Sequence, residues 1–344
     1  MCKKILVVRY RFIGDTLLTV PFLRNLRNAY PEAQIDMLVA PMSGEVIENC
    51  PYVDNFIFFD TTRKHKYENS KAEKKSFFSY VKLLKQNNYD KAYILKRSLS
   101  SAFLIFLAGI KKRVGFNTEG RGLLLTKKVP YDKEKHEIEC FLDVLRADGV
   151  PVSDSYLENW LSPDSNNFVI SKFEEKLKSG AKRVIVHATA TNDGKTWPIE
   201  NFAKIVEYLA NDKKAQVIYV GTNFDKNVYT KMEELIDDPL EVIPYNFCGE
   251  FSLQQSLAAI SNADLLIGND SGNLHMAASV KTPVIGLYGP MPFDKWFAYG
   301  DNNILLKSDL PCSPCCLKRQ CDIDKKCLRD ISVEMVKTAI DHII

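Results

Sequence analysis

No apolar run in this chain is long enough to cross a bilayer. The longest, Ala102 to Ile110, is about half of what a spanning helix needs. Arg9 and Arg11 interrupt the N-terminal apolar segment too early for a secretory signal, so the chain is expected to stay in the cytoplasm. Internal repeats and low-complexity segments are lacking. So are the nucleophile-elbow pattern G-x-S-x-G and the phosphate loop G-x-x-x-x-G-K-[ST], which removes two common enzyme classes. No nucleic-acid-binding motif appears, so nucleic acid is not an expected partner.

What is present is a soluble-type composition, 46% hydrophobic and 26% charged, over 344 residues, enough for two domains of ordinary size. Net charge is only +3 but unevenly shared. Residues 1–150 hold 26 Lys+Arg against 17 Asp+Glu, whereas the remainder is acidic. The basic half favours an anionic partner over a neutral one. Nine cysteines occur, five of them (Cys312, Cys315, Cys316, Cys321 and Cys327) within sixteen residues near the end. A disulfide framework is not expected in a cytoplasmic chain, and the single C-x-x-C has no second C-x-x-C to complete a zinc motif.

The chain is organised around Gly268 to Pro290. Leu265-Leu266-Ile267 predicts a strand, Asp270-Ser271-Gly272 a tight turn with capping side chains, Asn273 to Val280 a short helix, and Pro283 to Leu287 the next strand. A strand–turn–helix unit of this kind leaves backbone N–H groups free at the positive end of the helix, where phosphate binds. His275, one turn in, would add a donor. Asp270, Ser271 and His275 do not suit a Ser-His-Asp relay, because residues so close on one short helix have little freedom to align.

At the other end, Ile5 to Val8 predicts a buried strand. From Thr16 an apolar helical pattern follows through Leu17, Val20, Leu23 and Leu26, with Pro21 predicting a kink or a late helix start. Asp15 stands at the mouth of this first βα unit, either as an N-cap or as a general base. Strands at Gln34–Val39, Asn55–Phe59 and Lys91–Leu95 alternate with helices at Ser43–Glu48, Ser70–Gln86, Ser100–Ala108 and Lys135–Ala147, which predicts a doubly wound, mostly parallel sheet. Ala102 to Ile110 reads as a buried helix end, since it lacks the polar face of a membrane-surface segment. Residues 151–167 read as an irregular linker.

The second half repeats the rhythm. After the strand Val184-Ile185-Val186 comes His187-Ala188-Thr189-Ala190-Thr191-Asn192-Asp193-Gly194-Lys195-Thr196-Trp197-Pro198, whose hydroxyls, glycine and lysine are the parts of a phosphate-contacting loop. Asn223, after the strand Ala215–Val220, is placed to meet a ribose or base. These loops and the Asp270 turn all follow strands, so they should converge on one sheet edge.

The run D-S-G-x-x-H-x-A followed by P-V-I-G-L-Y-G-P resembles the donor-site signature of the family-9 glycosyltransferases, the lipopolysaccharide heptosyltransferases. R-x-x-x-I-G-D-x-L-L-x-x-P from Arg9 is similar to that family's N-terminal motif, and H-A-T…K-x-W-P from His187 to its diphosphate loop. The resemblance implies a GT-B fold, two Rossmann-like α/β domains facing a cleft. It implies an N-terminal acceptor domain (1–155), a C-terminal nucleotide-sugar domain (168–330) and a final helix (331–344) packing across both. It makes Asp15 the base that deprotonates the acceptor hydroxyl. Lys195, Thr189 and Thr191 then contact the diphosphate, joined by Asn223, Asp270, Ser271, Gly272 and His275 as donor contacts. Arg63, Lys64 and Arg121 are the expected acceptor contacts, and no metal or other cofactor is invoked. The implied reaction is inverting transfer of heptose from ADP-heptose to an anionic lipid A–core acceptor, with peripheral contact at the inner membrane. A nucleotide-sugar epimerase of the same architecture, a transferase of another sugar and a non-catalytic glycolipid binder are the alternatives.

Overall fold

The computed structural model describes residues 2–60, 75–318 and 320–344. The chain divides into two compact units, Met1–Asn159 and Trp160–Ile344. No helix among the described residues is long and apolar enough to cross a membrane.

The first unit opens with β1 (Lys4–Val8), α1 (Ile13–Leu17), α2 (Val20–Ala29), β2 (Gln34–Val39), α3 (Pro41–Glu45) and β3 (Asn55–Phe58). It continues with α4 (Phe77–Gln86), β4 (Lys91–Ile94), α5 (Leu99–Leu107), β5 (Lys112–Phe116), a 3-10 turn (Arg121–Leu124), β6 (Lys127–Val129) and α6 (Glu137–Ala147). Pro21 acts as the sequence predicts: the helical pattern breaks, and α2 restarts with proline in its first turn, where no N–H is needed. β1, β2 and β4 are buried on both faces; β1 is apolar after Lys4, while β2 and β4 each carry one buried charge, Asp36 accepting from Tyr89 Oη and Lys91 paired with Asp148. The expected helix from Ser70 begins among the described residues only at Phe77, capped by Ser76, whose side chain accepts from Ser79 N–H. β5 and β6 were not expected. Both open on two basic residues (KRVGF, KKV), which mask the apolar pattern of a strand.

The stretch 151–167, expected to be irregular throughout, is irregular only to Ser162. Arg24 donates to Asp154 and Glu158, and the Asn159 amide to Val46 O, so residues 153–159 are strapped to the first unit. From Pro163 the chain is helical.

The second unit contains α7 (Pro163–Lys176), β7 (Arg183–His187), a 3-10 turn (Asp193–Lys195), α8 (Ile199–Asn211), β8 (Gln216–Tyr219), α9 (Asn223–Glu233) and β9 (Tyr245–Asn246). There follow α10 (Leu253–Ser261), β10 (Leu265–Asn269), α11 (Gly272–Ser279), β11 (Val284–Tyr288), α12 (Phe293–Trp296), β12 (Asn303–Lys307), α13 (Lys326–Arg329) and α14 (Val333–Ile343). Val336, Ala339 and Ile340 of α14 enter the same core as Trp197, Phe202 and Val206, so the final helix buries its apolar face within this unit.

Both sheets are six-stranded and wholly parallel, in the orders β3-β2-β1-β4-β5-β6 and β12-β11-β10-β7-β8-β9. Renumbered within the second unit, the latter is the same 3-2-1-4-5-6 order. Strand order therefore reverses between β1 and β4 in one unit and between β7 and β10 in the other. A crevice opens at such a reversal, beyond the carboxyl ends of the strands, and ligands of open α/β sheets bind there.

Trp197 is buried where the β7 loop meets the end of the chain, its Nε1 donating to Ile331 O at 2.9 Å. Trp197→Phe keeps the bulk and strands that carbonyl. Urea unfolding should show a loss of about 1–3 kcal/mol. A loss within error would mean the carbonyl finds water instead.

Candidate active site

In the first unit, β1 runs straight into Arg9, and both Leu95 and Lys96 donate their N–H to Val8 O at 3.1 Å, which fixes the end of β4 beside it. The chain then turns through Arg11, whose φ of 142° is held by Ser43 Oγ donating to Arg11 O at 2.8 Å. Asp15 emerges one turn later, on α1. Its Oδ2 lies 2.6 Å from Arg9 Nη2, both side chains largely buried, so the carboxylate is oriented by a charge-assisted bond rather than free to cap the helix. Arg9 Nε is buried and has no partner among the described residues.

Lys96 completes this end of the sheet. Burial, reinforced by the cations Arg9 and Arg11, pulls its ammonium down to about 8, and Asp15 only partly compensates. Arg97 lies 3.9 Å above the Tyr131 ring and 3.8 Å from the buried Glu137. Two carboxylates, Asp15 and Glu137, thus face an excess of cations at the β1–β4 reversal.

Arg121 is placed differently from the expectation. It is fully buried in the 3-10 turn, Nε donating to Phe116 O at 2.7 Å and Nη1 to Lys96 O. A guanidinium spent on two main-chain carbonyls joins the ends of β5 and β4, so Arg121 holds Lys96 in place and does not present itself as an acceptor contact. Arg63 and Lys64 lie outside the described residues.

In the second unit, β7 ends at His187 and β10 at Asn269, and the two strands pair with Gly268 opposite His187. A Cβ on Gly268 would come within 3.0 Å of His187 O, so the close approach here requires glycine. The buried Asn269 amide then spans the gap, Nδ2 donating to Ala188 O at 2.9 Å and Oδ1 accepting from Trp197 N–H at 2.8 Å. Between these two anchors the loop rises through the exposed Thr191 and the turn Asp193–Lys195, which Asn192 Oδ1 caps by accepting from Gly194 N–H.

The clamp delivers Lys195 Nζ to Asp270 Oδ2 at 2.8 Å. Ser271 Oγ and His275 Nδ1 are buried beside that pair without a partner among the described residues, and Gly272 opens α11 there. Burial pulls the His275 imidazole down to about 4, with Asp270 opposing the shift and Lys195 adding to it. His275 is accordingly neutral at neutral pH and offers one N–H, not a charge. Thr189 is buried with its Oγ1 3.4 Å from His187 Nε2. Asn223 is exposed at the start of α9, against Gly249. Lys195, Asp270, Ser271, Gly272 and His275 form one cluster; Thr191 and Asn223 are exposed after β7 and β8 respectively.

Two residues escaped the sequence reading. Arg9 opens the motif that carries Asp15, six residues upstream, so its spacing was a usable signal. Asn269 gave none, because a strand-ending asparagine is ordinary.

A family model for glycosyltransferase family 9 (heptosyltransferase) matches residues 77–327. The lipooligosaccharide heptosyltransferase 2 of Haemophilus influenzae is 27% identical over 297 residues, 83% of either chain. A glycosyl transferase family 9 structure from Veillonella parvula superposes with a TM-score of 0.83 at 23% identity, over 99% of this chain and 97% of that one. The ADP-heptose LPS heptosyltransferase II of E. coli gives 0.77 at 23%, over 99% and 98%. These two structures share the fold, and the family match covers most of the chain. It belongs to glycosyltransferase family 9, the heptosyltransferases.

Proposed function

We propose that this glycosyltransferase moves a heptose, with inversion, from ADP-heptose to the inner core of a lipopolysaccharide acceptor at the cytoplasmic face of the inner membrane. The observation that carries the reading is the repeated strand order, with one charged constellation at each reversal. The β7–β10 reversal offers a cation, a hydroxyl and a helix N-terminus, the donor set for a nucleotide diphosphate. The β1–β4 reversal offers an oriented carboxylate amid excess positive charge, which suits deprotonating a hydroxyl on an anionic sugar. The names of the relatives above supply the sugar and the acceptor class. Asp15 precedes the span matched by the family model, so its role rests on its own geometry.

In the proposed reaction the acceptor oxygen attacks the anomeric carbon as its proton passes to Asp15, and the bond to the diphosphate breaks with its electron pair. Arg9 keeps the carboxylate aimed. Negative charge growing on the leaving diphosphate is met by Lys195, Ser271 Oγ and the Gly272 N–H. Asp270 positions Lys195 before the donor arrives, and His275 supplies a neutral donor beneath. Thr189 and Thr191 line the approach, and Asn223 lies where the nucleoside would extend. In place of Arg121, Lys96 is the acceptor-side cation.

ADP release from ADP-heptose, measured with and without deacylated core acceptor, tests the reading. Acceptor-dependent release is expected. Isomerisation of the sugar without acceptor would identify an epimerase instead, and no turnover under either condition a binder. Asp15→Asn should lower kcat by roughly 10²–10⁴ while ADP affinity changes little; near-normal kcat removes Asp15 from the chemistry. For Lys195→Ala, calorimetry should show ADP bound roughly 10–100-fold more weakly, with a fall in kcat as well. Acceptor KM carries a pH signature. Lys96 is cationic below about 8 and loses its charge above it, so KM should rise through that range. Lys96→Arg should flatten the profile, and a wild-type KM constant up to pH 9.5, well above that pKa of about 8, would exclude Lys96 from acceptor binding.

A further inference from the structure

The cysteines of the tail have no part in the proposed transfer, yet four of their sulfurs are drawn together. Cys327, on α13, is buried in the same core as Trp197 and Phe202. Burial pushes its thiol up, and the sulfurs of Cys315, Cys321 and Cys312, in that order, add to the shift, so all three stand within electrostatic reach of it. Cys315 is half-buried, Cys321 is exposed, and all nine cysteines are free. Among the described residues no group of three or more His, Cys, Asp or Glu is placed to hold a metal ion, so the sulfurs are neighbours without being arranged around a common centre.

The backbone between them is tightly turned. Cys316, Leu317, Asp324 and Lys325 take left-handed φ values of 56°, 53°, 45° and 50°, which side-chain-bearing residues hold only where their surroundings impose it. Lys318 N–H returns to Cys315 O at 3.3 Å, and Lys325 N–H donates to Cys321 Sγ at 3.2 Å, which fixes the direction of that sulfur. The same segment lies on the donor loop. A Cβ on Gly194 would come within 2.7 Å of Leu317 Cδ2, and Lys325 Nζ donates to Asp193 O at 3.4 Å. Both contacts fall on the 3-10 turn that ends at Lys195. The segment is also anchored just past β11, Ser313 Oγ donating to Gly289 O at 2.7 Å and Cys316 N–H to Pro290 O at 2.8 Å. Leu317 therefore sits between Cys315 and Cys321 in the chain and against Gly194 in space.

We propose that Cys315 and Cys321 form a reversible disulfide, and that the ring it closes pins Leu317 on Gly194 and weakens the donor loop's hold on a nucleotide diphosphate. The thiolate of the exposed Cys321 attacks one sulfur of a small disulfide such as oxidised glutathione. That S–S bond breaks, and one glutathione leaves and takes up the proton that Cys321 lost. The thiolate of Cys315 then attacks Cys321 Sγ, and the second glutathione leaves with the second proton. Two cysteine thiols are thereby oxidised and one small disulfide is reduced to two thiols. Cys327, within the core, stays a thiol. Such a bond is transient in a reducing compartment, unlike a structural framework. To meet a diphosphate, Lys195 must turn donors away from Asp270, and a turn pinned from behind cannot follow. The disulfide is argued from the segment's own geometry; only its effect on nucleotide rests on the transferase reading.

Mixtures of reduced and oxidised glutathione test it on the whole chain. Oxidation should remove two reactive thiols, and peptide mapping should place the bond between Cys315 and Cys321. Cys315→Ser and Cys321→Ser should each lose this transition, whereas Cys312→Ser should keep it. By calorimetry the oxidised protein should bind ADP about fivefold more weakly than the reduced protein. Linkage demands the converse: saturating ADP should make the pair about fivefold harder to oxidise, raising its two-electron potential by about 20 mV. Both serine variants should bind ADP like the reduced wild type in either mixture, which also shows that they fold. Thiol count and map need only the wild-type chain, so a variant that fails to fold leaves them decisive. Wild-type protein that keeps every thiol in oxidised glutathione, a bond mapped to other cysteines, or equal ADP affinity in both states would overturn the proposal. So would stoichiometric zinc in the purified chain, released only as the thiols are alkylated, which would assign the cluster to a metal. A mapped bond in a chain that binds ADP in neither state would sink the donor-site reading and the coupling with it, and would leave the disulfide standing.

Discussion

The second unit depends on one side chain that touches no phosphate in the proposed reaction. Asn269 is fully buried and its amide ties the end of β10 to both ends of the loop that follows β7, at Ala188 O and Trp197 N–H. Without it, Lys195 would hang on a ten-residue polar excursion, and its meeting with Asp270 would have to be assembled against loop entropy each time. With it, the lysine is aimed before any ligand arrives. Buried amides that satisfy both their donor and their acceptor rigidify in this way because any displacement leaves two polar groups unpaired in a low dielectric. Trp197 extends the same clamp to Ile331, and so to the chain's last helix.

That aiming involves an electrostatic compromise. A lysine held 2.8 Å from a carboxylate is already neutralised, and a diphosphate must draw it away. The carboxylate is nearly buried, so losing its partner altogether would be costly. Sharing resolves the conflict, since an ammonium has three donors and can keep one on Asp270 while turning others to phosphate oxygens. Asp270 is thus better understood as the residue that keeps Lys195 in place than as a contact to an anion it would repel.

Much of this was legible in the sequence for a physical reason. Strands buried on both faces are mostly apolar, so β1, β2, β7 and β10 announced themselves in spite of Asp36 within β2, and the polar residues just after β1, β7 and β10 marked the edge where function collects. β5 and the edge strand β6 did not, because short strands that open on two basic residues look like loops. Arg121 misled for a related reason: an arginine between two glycines, Gly120 and Gly122, reads as exposed. Only the fold reveals two carbonyls, Phe116 O and Lys96 O, waiting to be satisfied by it. The motif around Asp15 gave the carboxylate its position, whereas its pairing with Arg9 arises only once α1 folds back beside the end of β1.

The two reversals share a strand order and differ in charge balance, and that difference decides which ligand each can hold. At β7–β10 one cation meets one carboxylate, with His275 neutral, so the formal charge is zero and attraction for phosphate comes from geometry: an ammonium with donors to spare, a hydroxyl without a partner among the described residues and the N-terminal end of a helix. Such a site binds an anion whose oxygens match its donors and discriminates by shape. At β1–β4 two carboxylates, Asp15 and the buried Glu137 beside Arg97, stand against Arg9, Arg11, Lys96 and Arg97, so attraction there is net and longer-ranged. A carboxylate that is to take a proton from a hydroxyl needs the substrate's own negative charge kept off it, and surrounding cations do that by offering the anion other partners. Burial, reinforced by the crowding of these cations, pulls Lys96 down toward neutral pH. An anionic acceptor relieves that crowding on arrival, and a neutral one would not. Selectivity for charge on the acceptor is in this sense built into the self-repulsion of the empty first unit.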